Sequence, residues 1–165
     1  MLLFDFSSIE QYHAQLQEGN VTCLQAVEYY LQRIHAAAHL NAFVEVYADE
    51  ALQKAKELDK KRKGSNRKGK LHGVIVGLKD VICYKDHKVS ASSKILNNFS
   101  SLYSATAVER LLAEDAIIIG RQVGPSAGRG HGLIGAQGDR FRPLGFAAYR
   151  NARGTEQVRL PMNPA

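Results

Sequence analysis

The fold is decided by one stretch near the middle of the chain, Lys70-Leu71-His72-Gly73-Val74-Ile75-Val76-Gly77-Leu78-Lys79-Asp80-Val81. Its centre, Val74 to Leu78, is a short apolar run rich in β-branched residues, which predicts a buried strand. Lys79 and Asp80 follow at once, where the strand leaves the core. Because apolar surroundings disfavour the charged form of an amine, Lys79 is a candidate proton acceptor. Spacing alone favours a plainer interpretation, in which the pair is a solvated strand end.

Helical patterns and one strand precede this stretch. Two capping boxes, Ser7 to Glu10 and Thr22 to Gln25, predict the starts of two helices. The first ends at Gly19 and the second at about His35. Alternation then predicts a strand over residues 41–47, and helix-forming composition predicts a helix from 48 to about 61.

A turn, a helix and a third strand follow the central stretch. The serine-rich segment Ser90 to Ser93 predicts a turn near Lys79, and residues 106–114 predict a helix. The apolar run Ala116 to Gly120 then predicts a buried strand. A strand, loop, helix and strand in this order indicate a βαβ crossover and therefore an α/β fold.

Length and composition indicate one soluble globular domain. The chain has 165 residues, of which 45% are apolar and 23% charged. No apolar run is long enough for a membrane span, and Met1 to Phe4 lacks the basic flank of a signal peptide. Cys23 and Cys83 do not have the spacing of a disulfide framework or a CxxC site. We therefore expect a reducing, cytoplasmic location.

The positive charge is unevenly distributed. The formal net charge is +6, of which residues 1–121 contribute +2 and residues 122–165 contribute +4. Lys60 to Lys70 holds seven basic residues and no acid. Such a segment could contact RNA phosphates, but without interleaved aromatic residues a solvated connection is the favoured interpretation.

Three segments resemble the amidase signature family: Gly73 to Asp80, Ser90 to Phe99 and Ser104 to Leu112. In that family the lysine of the Gly-hydrophobic-Lys-Asp motif is the base of a Ser–Ser–Lys triad, and Lys79 occupies its position. Members often have Asn after Lys-Asp, where this chain has Val81. The resemblance covers residues 1–121 and implies the N-terminal portion of a mixed α/β sheet flanked by helices.

Within the family, the chain is most similar to the A subunits of glutamyl-tRNA(Gln) amidotransferases. This resemblance implies that a serine attacks the amide of glutamine, while a second serine passes the proton to neutral Lys79 and backbone NH groups hold the oxyanion. The ammonia would pass to the partner B and C subunits, where ATP and Mg²⁺ support conversion of the glutamyl group on charged tRNA. It implies no cofactor in this chain and no membrane association.

The resemblance stops at Gln122, where the composition changes. All eleven lysines lie at or before Lys94, whereas residues 122–165 hold six arginines, eight glycines and all four prolines. We expect an irregular, poorly ordered tail that arises from a frameshift, a truncated gene or a fusion, or else is a genuine linker-like extension. Gly124 to Gly128 fits G-x-S-x-G and Gly130 to Gly135 fits G-x-G-x-x-G, but neither has the elements that such sites need, so we interpret both as chance.

Other candidate sites are weaker. His35 and His39 could share a helix face, but no cysteine or carboxylate completes a metal site. The family segment that carries both triad serines is absent, so none of Ser90, Ser92 and Ser93 inherits a catalytic role. A base without its nucleophile has nothing to activate, and we expect no glutaminase activity from the chain alone. A non-catalytic assembly fragment and a basic RNA-binding module stay open as alternatives.

Overall fold

The computed structural model describes residues 8–64, 68–91, 93–96 and 98–123. Four α-helices and three strands are found in this part of the chain. In order they are α1 (Ile9–Glu18), α2 (Cys23–Ala36), β1 (Phe43–Val46), α3 (Ala48–Lys63), β2 (Ile75–Lys79), α4 (Thr106–Ala113) and β3 (Ile117–Gln122). Short 3₁₀ turns also occur at Ala38–Leu40 and Lys94–Leu96.

The first two helices begin and end at residues that satisfy their free backbone groups. Ser8 caps α1, because its hydroxyl accepts the N–H of Gln11 at 3.2 Å. The prediction of Ser7 as this cap was therefore one residue early, and Ser7 itself lies outside the described residues. Gly19 ends α1 with a φ of 80°, as predicted. Thr22 opens α2 with both bonds of the predicted capping box.

β2 and β3 extend further at their C-terminal ends than the apolar runs that predicted them, whereas β1 is shorter than its predicted range of 41–47. β2 includes Lys79, and β3 continues past Gly120 to Gln122. The reason is backbone pairing, because the last residues of β3 have β1 on one side and β2 on the other. Strand ends are therefore set by neighbouring strands as much as by hydrophobicity.

The sheet has the strand order β1-β3-β2, so the strand that comes last in sequence lies in the middle. β3 runs antiparallel to β1 and parallel to β2. α4 lies in the connection between the two parallel strands, which confirms the predicted βαβ unit and the α/β class.

Helices cover both faces of this sheet. Successive residues of β3 point to opposite faces, and Ile117 and Ile119 join one core while Ile118 joins another. The first core includes α1, α2 and α3, and the second includes α4. The residues of α2 with the least exposure are Cys23, Ala26, Val27 and Tyr30. They are flanked on that helix by the partly buried Leu24, Leu31 and Ile34. None of the helices found in the described ranges is both long and apolar enough for a bilayer crossing.

Candidate active site

Lys79 is the last residue of β2, at the edge of the sheet where both parallel strands end. It pairs with Gln122 of β3, and its side chain is half-buried. Its carbonyl oxygen accepts the N–H of Ile82 at 2.9 Å, which turns the chain away from the sheet. Ligands of open α/β sheets bind at the carboxyl ends of the strands. The position of Lys79 is therefore suited to a role in chemistry.

The face of the sheet beside Lys79 is shaped by a glycine. A Cβ at Gly77 would lie 2.7 Å from Nε2 of Gln122, so the absence of a side chain lets the carboxamide settle there. Gly77 and Lys79 are alternate residues of β2 and share one face. No hydrogen bond or ion pair joins the Lys79 amine to another residue of the described ranges. The amine is therefore available to a group supplied from elsewhere.

Asp80 fastens the serine-rich segment to the end of β2. Its carboxylate accepts the backbone N–H of Ser90 at 3.0 Å and the Ser90 hydroxyl at 2.5 Å. Its carbonyl accepts the N–H of Ala91 at 3.2 Å. With an exposed fraction of 2%, Asp80 needs such partners, because a buried carboxylate is costly without them. Residues 90–91 are thus held against the residue that follows Lys79 in the chain.

Arg121 supplies the counter-charge for Asp80. Its Nη1 donates to Asp80 Oδ1 at 2.5 Å, and its Nη2 donates to Glu45 Oε2 at 3.3 Å. The arginine is 5% exposed. One guanidinium therefore links β1, β3 and the chain that follows β2. Its Nε is buried without a partner in the described part of the protein.

A bulge explains how Arg121 reaches this position. The register between β2 and β3 shifts so that Val76 pairs with Ile118 but Gly77 pairs with Gly120, which leaves Ile119 as an extra residue in β3. An extra residue reverses the alternation of the side chains that follow it. Arg121 consequently shares a face with its partner Leu78 and lies on the side of the sheet opposite Lys79.

The serine-rich segment forms the predicted turn. The N–H of Ser93 donates to the carbonyl of Ser90 at 2.7 Å. Ala91 has a φ of 48°, in the left-handed region that residues other than glycine rarely adopt. The hydroxyl of Ser90 is engaged by Asp80, and Ser92 lies outside the described residues. Ser90 and Ala91 are therefore held next to the end of β2.

A second polar cluster lies at the opposite end of the parallel strands. Nζ of Lys61 is 2.7 Å from both oxygens of Asp115, which also accepts the N–H of Gly69 at 2.7 Å. Nδ1 of His72 is 3.2 Å from the same carboxylate. Burial alone would raise the pKa of Asp115, but these partners outweigh it and lower the pKa to about 2.

This cluster changes the interpretation of the basic segment from 60 to 70. Its first four residues form the last turn of α3, which runs two residues past the predicted end. Lys61 is paired with Asp115, and Arg62 donates to the carbonyl of Leu16. The four lysines of the segment that stay exposed are Lys60, Lys63, Lys68 and Lys70. Lys61 and Arg62, which belong to the segment expected to be solvated, therefore make contacts within the fold.

Sequence reasoning missed Arg121 and Glu45. A charged residue directly after Ile117, Ile118, Ile119 and Gly120 was a usable indication, because buried charges are paired. The sequence did not identify Glu45 as a partner of Arg121, since the two residues are 76 positions apart. Both glycine-containing motifs of the tail lie outside the described residues. Within the described ranges, no three His, Cys, Asp or Glu side chains group as metal ligands, and His35 lies in the last turn of α2.

Similarity to known structures supports the fold. A peptide amidase from Stenotrophomonas maltophilia superposes with a TM-score of 0.66 and 29% identity, over 73% of this chain and 25% of that one. A bacterial aryl acylamidase of the amidase signature family superposes with a TM-score of 0.68 over 73% of this chain and 26% of that one. At 21% identity, the second likeness concerns the fold alone.

Relatives found by sequence are more similar to this chain than these solved structures are. The chain is 40% identical over 116 residues to the A subunit of glutamyl-tRNA(Gln) amidotransferase from Chlorobium phaeobacteroides (strain BS1), and equally to that from Chlorobaculum tepidum. These matches cover 70% of this chain and 24% of each relative, so the chain spans about a quarter of their length. The family model described as Amidase matches residues 25–130. With this match across the βαβ unit that carries Lys79, the chain belongs to the amidase signature family.

Proposed function

We propose that this chain is the N-terminal part of a glutamine-hydrolysing A subunit of glutamyl-tRNA(Gln) amidotransferase, with Lys79 as its general base. The observation that carries the proposal is the 40% identity to relatives of that name. The placement of Lys79 at the carboxyl end of β2 supports it. Because the chain spans a quarter of those relatives, the activity belongs to the assembled enzyme.

In the proposed reaction, the neutral amine of Lys79 accepts the proton of a serine hydroxyl through a second serine. The serine oxygen attacks the amide carbon of glutamine, ammonia leaves, and water hydrolyses the resulting ester to glutamate. Asp80 and Arg121 hold the chain that follows Lys79 and take no part in proton transfer. The Ser90 hydroxyl donates a hydrogen bond to Asp80, and Ser90 is not the nucleophile. The chain alone is therefore expected to release no ammonia from glutamine.

The same proposal includes the setting of the reaction. The B and C subunits would receive the ammonia and use it on charged tRNA in the cytoplasm. ATP and Mg²⁺ would bind to one of these partners, and this chain would carry no cofactor. Two of the seven basic residues between 60 and 70 are already engaged within the fold, so the RNA-binding alternative has less support.

A chimaera tests the proposed role of Lys79. Residues 25–121 of this chain replace the matching segment of the A subunit from Chlorobium phaeobacteroides, and the hybrid is produced with that organism's B and C subunits. We expect ammonia release from glutamine and loss of at least about a hundredfold in kcat for Lys79→Met, as for removal of a general base.

Lys56→Met is the matched control, because Lys56 is an exposed lysine on α3. It should leave kcat within about twofold, since exposed substitutions away from a site change little. A hybrid that assembles and is active with Lys79→Met would contradict the base assignment. A hybrid that assembles with its partners but has no activity would favour the non-catalytic assembly alternative.

A further inference from the structure

A group of exposed lysines lies at the end of the parallel strands opposite Lys79. We call it the basic surface and define it by four side chains, Lys60, Lys63, Lys68 and Lys70. Lys60 and Lys63 belong to the last turn of α3, where their spacing of three positions makes them neighbours on the helix. Lys68 and Lys70 belong to the segment that leads from α3 to β2.

One buried carboxylate brings the two halves of the basic surface together. Nζ of Lys61, in the last turn of α3, is 2.7 Å from both oxygens of Asp115. The backbone N–H of Gly69, the residue between the other two lysines, donates to the same carboxylate at 2.7 Å. A Cβ at Gly69 would overlap the backbone of Glu114, so this segment packs directly against the chain that precedes β3. The four lysines therefore flank a single ion pair and form one surface.

The nearby carboxylates are engaged by other groups. Asp59 accepts the backbone N–H groups of Cys23 and Leu24 at 2.9 and 3.0 Å. Glu114 accepts the backbone N–H of Lys70 at 2.6 Å. Within the described ranges, no hydrogen bond or ion pair joins the amine of any of the four lysines to another residue. The four amines are therefore available to an anion, and its binding would relieve the repulsion between like charges.

The composition of the basic surface favours phosphate groups as its ligands. None of the large apolar side chains that are exposed in the described ranges lies between residues 60 and 70. The surface therefore has no side chain to insert into a bilayer or into an apolar pocket of a protein. The segment also has no aromatic residue on which a base could stack. Lysine binds phosphate as a compact point charge, so contacts with the backbone of a nucleic acid fit best.

We propose that the basic surface contacts the phosphate backbone of charged tRNA in the assembled enzyme. The proposal rests on the proposed function, which supplies the RNA, and deepens it by adding a direct contact between this chain and the tRNA. Four lysines without stacking residues add salt-sensitive affinity but no sequence preference, which is less than an RNA-binding module supplies. Because the basic surface and Lys79 lie at opposite ends of the parallel strands, the contact leaves the proposed glutamine site open.

The salt dependence of tRNA binding tests this. The hybrid A subunit described above, assembled with the B and C subunits of Chlorobium phaeobacteroides, is titrated with that organism's tRNA(Gln) between about 50 and 200 mM KCl. Lys63→Gln and Lys68→Gln should each raise the Kd about three- to tenfold at about 100 mM KCl. Each should also lower the slope of log Kd against log salt concentration by about 0.7–0.9, and the double variant by about twice as much. Ammonia release from glutamine alone should not change.

Arg33→Gln is the matched control, because it removes one positive charge from an exposed position in the last turn of α2. The first residues of α2 bind Asp59 near the end of α3, so the last turn of this 14-residue helix lies away from the basic surface. The control should leave the Kd within about twofold and the slope unchanged.

A hybrid complex that does not bind the tRNA, or a double variant with the wild-type slope, overturns the proposal. An equal change of slope for Arg33→Gln would show an effect of net charge alone and overturn it as well. Phosphatidylserine vesicles that bind the hybrid but not the double variant, while tRNA binding is retained, would assign the basic surface to a membrane instead. Binding of tRNA that depends on both lysines, in a hybrid that releases no ammonia, supports the contact with tRNA while contradicting the proposed glutaminase function.

Discussion

The guanidinium of Arg121 donates a hydrogen bond of 2.5 Å to the carboxylate of Asp80, and neither residue has more than 5% of its surface exposed. Asp80 in turn holds both the amide and the hydroxyl of Ser90. The position of the chain that follows Lys79 thus depends on one buried ion pair. A pair of this kind is costly to break from one side only.

Arg121→Met should lower the free energy of unfolding by about 3–5 kcal/mol, because it leaves a buried carboxylate without its counter-charge. Asp80→Asn should cost a similar amount. The double variant should cost less than the sum of the two, since each single change removes the same interaction. Urea unfolding of the four proteins measures the coupling.

Arg110→Met is the control for this cycle. Arg110 is exposed on α4, and its replacement should change stability by less than about 0.5 kcal/mol. Equal costs for the two arginine variants would show that the pair with Asp80 contributes little.

Ala91→Gly should stabilise the protein by about 0.5–1 kcal/mol. Ala91 has a φ of 48°, where a Cβ is penalised by about 1–2 kcal/mol, and glycine offsets part of that gain through its larger entropy loss on folding. Ala14→Gly, in the exposed interior of α1, should instead destabilise by about 1 kcal/mol. In thermal or urea unfolding, the changes in stability of the two variants should thus have opposite signs. A loss of stability in both variants would contradict the strain at Ala91.

Asp115 should make stability depend on pH in the acid range. Its pKa is about 2 in the folded protein, below the ordinary value of 3.8, so the unfolded chain binds a proton more readily. The stabilisation is present above about pH 4 and is lost as the pH falls towards 2. It amounts to about 2 kcal/mol at its full value.

Asp115→Asn should therefore narrow the difference in unfolding free energy between about pH 5 and pH 2.5. Asp86→Asn is the matched control, because Asp86 is exposed and has a φ of 64°, close to the 66° of Asp115. Asparagine accepts this backbone conformation at both positions. If the two variants have the same pH profile, the partners of Asp115 do not account for the acid sensitivity.

Alanine substitutions at Gly19 and Gly73 distinguish the cost of backbone strain from the cost of steric overlap. Their φ values are 80° and 76°, but a Cβ at Gly19 would meet nothing within 4 Å, whereas one at Gly73 would lie 2.6 Å from the Cys23 sulfur. Gly19→Ala should cost about 1 kcal/mol and Gly73→Ala about 1–3 kcal/mol more.

The excess at Gly73 should shrink when Cys23→Ala is added, since that change removes the sulfur that the new methyl group would meet. Urea unfolding of the single and double variants measures this directly. An excess that stays the same in the Cys23→Ala background would assign the cost to other neighbours, of which the Tyr12 hydroxyl is 3.2 Å away.

The sequence was sufficient for features that depend on neighbours along the chain. The helix stop at Gly19, the capping box at Thr22 and the βαβ order from 74 to 119 follow from local spacing, and the structure contains all three. The pairing of Arg121 with Glu45 and of Lys61 with Asp115 joins residues 76 and 54 positions apart. Such contacts depend on strand register and helix placement, which periodicity does not encode.

The same distinction between local features and long-range contacts applies to the surroundings of Lys79. Its place at the end of a strand followed from the apolar run before it, and its proposed role came from resemblance to a family. The bulge at Ile119 that turns Arg121 away from Lys79 was not predictable, because it exists only in the alignment of β3 with β2.

The central place of β3 also affects how the molecule is made. β1 and β2 emerge from the ribosome first, yet the structure pairs each of them only with β3 in the part described. Until residues 117–122 have been synthesised, neither earlier strand has its partner, and both present open edges to other nascent chains. The sheet therefore assembles when its last strand arrives and not strand by strand. A pause in translation just before that point would prolong the interval in which this domain is most prone to aggregate.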